Sequence, residues 1–358
     1  MPVDPPAPAP GRKPVRSAPP LRPAAEAERT SGPVERTGGP PVRRVVPEFA
    51  GHGAGRDPYP YYRLLRERFP LVYDRSRAAW LLSRYADVAT ALTDSRFTGV
   101  QRPGDPACAA HFAPVAPDLP DVVQRTAYVL ARRIAGRETA DLVAEFCRWL
   151  PIGALATAVG VPYRDMPRLL RGREAHAGPA GPCAARTAVR EKALASFLAS
   201  VLGDPDLSAT LRGTPGGSVP AGLIGRAWAE SLRHDPPVPL VLRHTVADVR
   251  LSGGTVPAGA RVACLIGAAG RDPDRFPDPD RFDPGRAAPG QLTFGDGFCP
   301  AVLLAGLEAE HGLRALLDVM PGLRLADGFR PVRAGLTVRS PRTLLVSPGG
   351  GPAVSADG

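Results

Sequence analysis

The sequence predicts a mainly α protein with small β-sheets, of the α+β class, and three observations lead to this. Apolar residues recur with helical periodicity through most of the central chain, whereas alternating strand patterns are short and separated by glycine and proline turns. No internal repeat or βαβ alternation is present. At 358 residues and 44% hydrophobic, the chain can bury a large core.

The elements follow from these patterns in chain order. Helices are predicted at 59–68, 86–92, 122–134, 140–161, 188–202 and 221–233, the last stopping at a Pro-Pro breaker. Strands are predicted at 71–73, 79–83, 240–242, 248–251 and 261–266. The stretch 178–182 is predicted as a loop, and a proline-rich irregular coil covers 271–286. Helices therefore outnumber strands.

Composition divides the chain into three parts. Residues 1–48 hold thirteen prolines and few large apolar residues, which is typical of a disordered arm rich in proline and arginine. A single folded domain is predicted at 49–346. The Pro-Gly-Gly-Gly-Pro run predicts a flexible tail at 347–358.

Charge and cysteine usage exclude several function classes. The net charge of +10 comes almost entirely from arginines that are spread along the chain and not interleaved with aromatic residues, which argues against a nucleic-acid partner. The five cysteines are more than thirty residues apart, so no zinc-binding spacing exists. Their odd number predicts reduced thiols in the cytoplasm. No apolar run is long enough to span a membrane, so a soluble protein is expected.

The most informative segment is a glycine turn that leads into an apolar helix. Phe294-Gly-Asp-Gly-Phe-Cys299 comes directly before Pro300 and the apolar run that follows it. A cysteine at a helix N-terminus favours the thiolate, because unpaired backbone N–H groups and the helix dipole stabilise negative charge there. Gly295 and Gly297 allow the backbone to come close to a flat or bulky group. Taken alone, the loop fits equally a buried cysteine beside an ordinary turn.

Other motifs come before this loop in a fixed order. They are Glu230-x-x-Arg233 with Asp235-Pro-Pro237, the Gly254–Gly259 hairpin and the coil from Ala269 to Phe282. In this order, and together with the glycine turn, they resemble the cytochrome P450 family, the haem-thiolate monooxygenases, of the soluble bacterial type. The resemblance covers roughly residues 56–346.

The resemblance implies haem b as the cofactor. Cys299 would be the axial ligand of the haem iron, with Phe294, Gly295 and Gly297 in the loop against the haem. Arg243 matches the strand arginine that pairs with a haem propionate. Glu230, Arg233 and Arg281 match a buried ion-pair triad that ties a helix to the coil behind the haem. A ferredoxin or a flavoprotein reductase would supply electrons.

The chain departs from the family pattern around the haem. Cys299 follows Phe294 by five positions instead of seven, and the histidine that the family has two positions before its cysteine is missing. The region between Phe97 and Pro114 is short, which predicts a shortened C-helix without its propionate-binding residues.

Further departures from the family pattern lie in the segments that the family places on the opposite side of the haem. The F/G region is too short for the usual pair of helices, and the I-helix region is shortened too. On that helix Arg186 replaces the glycine that leaves room for dioxygen, and Val189 or Arg190 fills the threonine position. Thr187 is the nearby hydroxyl and the candidate catalytic residue.

Two functions follow from these features. The first is a monooxygenase-type oxidation of a small hydrophobic secondary metabolite, by a protein whose oxygen chemistry these departures are expected to impair. The second is a catalytically silent accessory protein on the same fold, which binds and activates a pathway enzyme such as a glycosyltransferase. A decaying gene product is a third reading. Hydrolase and phosphate-binding motifs are missing from the sequence.

Overall fold

The computed structural model describes residues 55–99, 118–158, 181–213, 220–286, 290–293 and 300–349. Its helices are α1 (Tyr59–Arg68), α2 (Tyr85–Thr93), α3 (Leu119–Ile134), a π-helix (Val143–Cys147), α4 (Trp149–Ala158), α5 (Gly181–Leu202), α6 (Pro205–Arg212), α7 (Leu223–His234), α8 (Ile266–Ala269) and α9 (Pro300–Val319). Its strands are β1 (Leu71–Asp74), β2 (Ala79–Leu82), β3 (Phe97–Gly99), β4 (Ala140–Asp141), β5 (Val241–Thr245), β6 (Val249–Leu251), β7 (Gly254–Val256), β8 (Arg261–Cys264), β9 (Arg324–Leu325), β10 (Arg333–Ala334), β11 (Ser340–Pro341) and β12 (Leu345–Ser347).

Helix α9 is the centre of the helical part. It packs against α3, α4, α5 and α7, and the largest apolar cluster forms around these contacts. On α3 the apolar residues recur every three to four positions, so that Val123, Ala127, Leu130 and Ile134 lie on one buried face. The helix is therefore stabilised mainly by the burial of this apolar face, and less by its intrinsic helix propensity.

A five-stranded sheet forms the second part of the fold. Its strand order is β1-β2-β8-β5-β3, with β2 and β8 parallel and the other neighbours antiparallel. The sheet places β5 between β8 and β3, so that Arg243 stands opposite Gly99 on one side and Val262 on the other. Smaller sheets pair β6 with β7, β10 with β11, and β12 with β4 and β9.

The predicted α+β class is confirmed, but one predicted helix is divided. The stretch 140–161 was expected to be one helix, whereas it contains β4, the π-helix and α4. Ala140 and Asp141 pair with Val346 and Leu345, and the side chain of Asp141 accepts hydrogen bonds from the backbone amides of Val143 and Leu344. These partners are distant in sequence, so local periodicity could not reveal them.

Two further boundaries differ from the prediction. Helix α5 already begins at Gly181, inside the stretch predicted as a loop at 178–182. The predicted flexible tail begins at Ser347, but Ser347 is the last residue of β12 and pairs with Arg324. The short strands from β9 onward and helix α6 were not predicted, because each contains few residues and depends on tertiary partners.

The described residues belong to one compact unit, Val46–Gly358. The predicted arm at 1–48 lies outside the described residues, and so does most of the predicted tail. The same holds for most of the predicted C-helix and F/G regions, at 100–117 and 159–180. The expected shortening of these segments, and of the I-helix region, therefore stays a prediction.

Candidate functional site

Glu230 and Arg233 form a buried ion pair on α7. Their side chains are 1% and 0% exposed, and two parallel hydrogen bonds of 2.7 Å join Arg233 Nε and Nη2 to the two carboxylate oxygens. The spacing i, i+3 brings both side chains to one face of the helix. A bidentate pair of this kind is strongly directional, and removal of one partner would leave a buried charge.

The pair binds the proline-rich coil. Arg233 Nη1 donates to the carbonyls of Gly270 and Pro279, at 2.6 and 2.9 Å, and its guanidinium lies 5.2 Å from the centre of the Phe276 ring. Glu230 accepts a hydrogen bond from the backbone N–H of Asp283 at 2.8 Å. The coil 271–286 is therefore held by side chains of α7, since it forms little secondary structure of its own.

The third member of the ion-pair triad is Arg286, where the sequence predicted Arg281. Arg286 Nε donates to Glu230 Oε1 at 3.1 Å, and its side chain is 11% exposed. Arg281 is exposed and takes part through its backbone carbonyl, which accepts from Arg233 and Arg286. The assignment to Arg281 is wrong because the path of the coil, and not the distance along the sequence, decides which arginine reaches Glu230.

Arg243 lies on β5, between β8 and the edge strand β3, and is half-buried. Its Nη1 donates to the carbonyl of Leu242 at 3.1 Å, and among the described residues no carboxylate forms an ion pair with it. A half-buried guanidinium can make five hydrogen bonds, so most of its donors are available to another group. Arg243 therefore offers a positively charged contact to an anion.

The predicted cysteine loop lies outside the described residues, which include neither Phe294, Gly295 and Gly297 nor Cys299. Both of its ends are described. Before the loop, Thr293 Oγ1 donates to the carbonyl of Leu232 on α7 at 2.9 Å. After it, α9 begins at Pro300, directly following Cys299. The loop thus runs from a side-chain contact with α7 to the N-terminus of α9.

The other described cysteines do not fit a thiolate role. Cys147 and Cys264 are free and buried. Burial raises the pKa of Cys147 well above its usual value and the pKa of Cys264 to about 12. The described residues contain no group of three or more His, Cys, Asp or Glu side chains placed to bind a metal ion. Within the same ranges, no helix is long and apolar enough to cross a membrane.

Thr187 belongs to a polar cluster inside the helical part. It is 2% exposed, and its hydroxyl accepts a hydrogen bond from Arg190 Nη2 at 3.2 Å. Arg190 also donates to the carbonyl of Pro151 and forms an ion pair with Glu308 of α9. The cluster lies where α4, α5 and α9 meet. The sequence predicted that Val189 or Arg190 fills the family's threonine position on this helix. It did not predict the ion pair between Arg190 and Glu308.

A second polar cluster joins the two ends of the described chain. Asp235 accepts a hydrogen bond from Tyr59 at 2.5 Å and one from Arg339 at 2.8 Å, while Arg333 lies 3.2 Å away. Arg339 also donates to the carbonyl of Arg56 at 2.7 Å. No sequence pattern predicts these contacts, since the partners of Asp235 are separated from it by about a hundred residues or more.

Comparisons with known proteins identify the family. A family model described as Cytochrome P450 matches residues 226–297, which include Glu230, Arg233 and the proline-rich coil. Protein DesVIII of Streptomyces venezuelae is 31% identical over 351 residues, covering 82% of this chain and 87% of that protein. The chain belongs to the cytochrome P450 superfamily.

Other members of the cytochrome P450 superfamily match shorter stretches. Cytochrome P450 107B1 of Saccharopolyspora erythraea is 40% identical over 156 residues, which are 42% of this chain and 37% of that enzyme. The solved structure of epothilone B-bound cytochrome P450epoK has a TM-score of 0.71 at 22% identity, and covers 85% of this chain and 100% of its own. CYP109E1 of Bacillus megaterium with corticosterone has a TM-score of 0.70 at 18% identity, covering 81% and 98%. These structures support the fold.

Cytochrome P450 proteins bind haem through a cysteine thiolate, and the described residues fit such a group. Arg243 has free donors for a carboxylate, and the start of α9 provides a dipole that favours an anion beside it. The residues of the triad come before the loop in the sequence, and they bind the coil that leads into it. The haem expectation thus agrees with the chemistry of these side chains.

Proposed function

We propose that this protein is a haem-thiolate oxidoreductase of the cytochrome P450 type, which oxidises a small hydrophobic secondary metabolite in the cytoplasm. The observation that carries the proposal is Arg243, a half-buried guanidinium on β5 without a carboxylate partner among the described residues. Its Nη1 donates to the carbonyl of Leu242, and its other donors can form charge-assisted hydrogen bonds, so a bound anion is expected at this place. A haem propionate is the anion that the family would supply there.

The proposal assigns iron ligation to Cys299. A cysteine that directly precedes Pro300 and the N-terminus of α9 would lie near unpaired N–H groups, which lower the pKa of a thiol. Phe294, Gly295 and Gly297 would form the loop against the haem face, with the glycines leaving room for close approach. The loop that carries Cys299 is two residues shorter than the loop of the family, which shortens the reach of the chain by up to about 7 Å.

The buried pair on α7 has a supporting role in the proposal. Thr293 is attached to Leu232, one residue before Arg233, so that α7 carries both the coil contacts and the start of the loop. Displacement of α7 would therefore move both together. Glu230, Arg233 and Arg286 are positioning residues that touch no substrate in this proposal.

When bound, haem supplies the activation of dioxygen and the electron transfer that side chains cannot perform. The chain's own residues would bind the haem and exclude water. Thr187 is the proposed source of a hydroxyl on α5, where its oxygen accepts a hydrogen bond from Arg190. Electrons would come from a ferredoxin or a flavoprotein reductase.

The substrate class is proposed from the relatives. One of them is named 6-deoxyerythronolide B hydroxylase, and it is 38% identical over 144 residues, 37% of this chain and 34% of that enzyme. Another is named pulcherriminic acid synthase. Both names concern secondary metabolites, which supports a small, largely apolar substrate for this chain as well.

The test is haem binding by the full chain with its charge variants. We expect the wild type to take up haem and to give the carbon-monoxide spectrum of a thiolate complex, and Cys299→Ser to lose that spectrum. Arg243→Gln should weaken haem binding by about tenfold or more, because it removes a charge-assisted contact. Arg261→Gln is the matched control: this exposed arginine lies on β8, beside β5, and should bind haem like the wild type.

Two outcomes would overturn the proposal. The first is a folded wild-type protein that gives no haem absorption band when haem is supplied during expression. The second is an Arg243→Gln variant that binds haem as tightly as Arg261→Gln, since Arg243 would then not contact the cofactor.

A second candidate is an accessory protein that binds and activates a pathway enzyme such as a glycosyltransferase. The observation that favours it is the uneven similarity to two relatives. The match to DesVIII, whose name includes no enzyme activity, covers 87% of that protein. The match to cytochrome P450 107B1 covers only 37% of that enzyme. The sequence departure on α5 also favours it: Val189 or the buried Arg190 fills the position where the family carries its oxygen-handling threonine.

The two candidates differ in their dependence on haem. For the accessory function we expect a stable complex with the glycosyltransferase of the same pathway, and equal stimulation of that enzyme by wild type and by Cys299→Ser. A protein that stays monomeric and leaves the enzyme's rate unchanged would exclude this candidate.

A further inference from the structure

Arg190 and Glu308 form an ion pair that is almost completely buried between two helices. Their side chains are 2% and 1% exposed, and Arg190 Nη1 donates to Glu308 Oε1. Arg190 Nη2 donates to the carbonyl of Pro151 on α4 and to Thr187 one turn away, both at 3.2 Å. One guanidinium thereby joins three helices, α4, α5 and α9.

The pair is not what stability alone would favour. Arg190 Nε and Glu308 Oε2 are buried and have no hydrogen-bond partner among the described residues. Burial of two charges with incomplete hydrogen bonding is commonly less stable than apolar residues of similar size. Such groups are best attested where they determine the register of one helix against another.

The remaining buried contacts of α9 are poorly directional. They come mostly from leucine and alanine side chains, and the polar contacts of Asp318 and Glu310 are exposed. A helix surface of small apolar residues allows rotation and sliding with little change in buried area. Glu308 is the charged side chain of α9 that lies inside this packing, and its partner is fixed by Pro151 and Thr187.

We infer that Arg190 and Glu308 are a positioning pair that sets the rotation and register of α9 against α5, and so the place where α9 presents Cys299. Glu308 follows Cys299 by nine residues, about 13 Å along a continuous helix, so a shift at Glu308 moves the helix start as well. The part that concerns Cys299 rests on the proposed haem function, whereas the part that concerns helix register does not.

The experiment compares four forms of the full chain: wild type, Glu308→Gln, Arg190→Met with Glu308→Leu, and Glu310→Gln. Glu310 is the matched control, because it lies on the same helix two residues away and pairs with Arg314 at the surface, where it is 45% exposed. Amide hydrogen exchange between Leu304 and Gly312 is measured without haem, together with the thermal midpoint.

We expect Glu308→Gln to exchange faster in this stretch by about two orders of magnitude, because the charge on Arg190 is left unpaired, and Glu310→Gln to exchange like the wild type. The double variant should recover the thermal midpoint, since both charges are gone. Its α9 amides should nevertheless stay at least about tenfold less protected than the wild type, because no directional contact replaces the pair.

The inference is overturned if the double variant recovers both the midpoint and the exchange pattern, since the pair would then be merely structural. It is also overturned if Glu308→Gln behaves like Glu310→Gln. In haem-loaded samples, we expect the double variant to lose part of the thiolate carbon-monoxide signal. A wild type that takes no haem refutes the proposed function and leaves the exchange result as the test of helix register.

Discussion

Replacement of Arg286 by glutamine tests which arginine completes the cluster around Glu230. One guanidinium makes four hydrogen bonds here: Nε to Glu230 at 3.1 Å, Nη1 to Pro277 at 2.6 Å, and Nη2 to Asp278 and Arg281 at 2.7 and 3.2 Å. Three of them go to carbonyls of the coil. Loss of this side chain therefore removes a carboxylate contact and most of the attachment of the coil on that side.

The magnitude follows from the burial of each acceptor. The carbonyls of the coil lie near solvent and water can replace the lost donor, so each contributes about 0.5–1 kcal/mol. Glu230 is 1% exposed and keeps Arg233 as a partner. The loss of its second ion pair, with Arg286, costs a further amount of about 1–2 kcal/mol. The sum is about 2.5–5 kcal/mol of unfolding free energy.

The assay is urea unfolding followed by circular dichroism. We expect Arg286→Gln to lower the midpoint by about 1 M with an unchanged slope. Arg281→Gln is the control, because the exposed Arg281 contributes its backbone carbonyl, which the substitution keeps; its cost should stay within about 0.5 kcal/mol. Equal costs for both variants, or a larger cost for Arg281→Gln, would show that the coil follows another path.

Two further predictions concern packing and pH. Gly270→Ala should destabilise the fold by more than 2 kcal/mol in urea unfolding, because a Cβ there would lie 2.3 Å from the carbonyl oxygen of Arg233; a cost near zero would contradict this close approach. Burial and Arg271 lower the pKa of His234 to about 4, so its share is present above about pH 6.5 and lost as the pH falls toward 4; His234→Gln should weaken this acid-side loss, measured by thermal midpoints across that range, and an equal loss in both proteins would count against it.

Local patterns predicted the elements whose amphipathic faces are long. Helices α1, α2, α3 and α7 and the strands β1, β2, β5 and β8 lie close to where periodicity placed them, whereas the short edge strand β3 was not predicted. The division of 140–161 into β4, the π-helix and α4 depends on pairing with β12, some two hundred residues later. No pattern within that stretch contains this information.

Site prediction divides in the same way. The spacing of Glu230 and Arg233 predicted that both lie on one helix face, and the family resemblance predicted that they form a buried ion pair; the structure has them so. Arg281 was predicted from the family resemblance where the structure has Arg286, because a coil without periodicity offers no rule for which side chain turns inward. The roles of Cys299, Phe294, Gly295 and Gly297 stay predictions, as their loop lies outside the described residues.

The sequence by itself determined the cytochrome P450 superfamily, the α+β class and the ion pair on α7, because these depend on motif order and on spacing along single elements. Only the tertiary structure decided that Arg286 completes that cluster and that Arg190 meets Glu308 inside the helical core. The physical reason is that a charge is buried only where its partner arrives from elsewhere in the chain. Residues 118 positions apart, such as Arg190 and Glu308, become neighbours through the packing of α5 against α9.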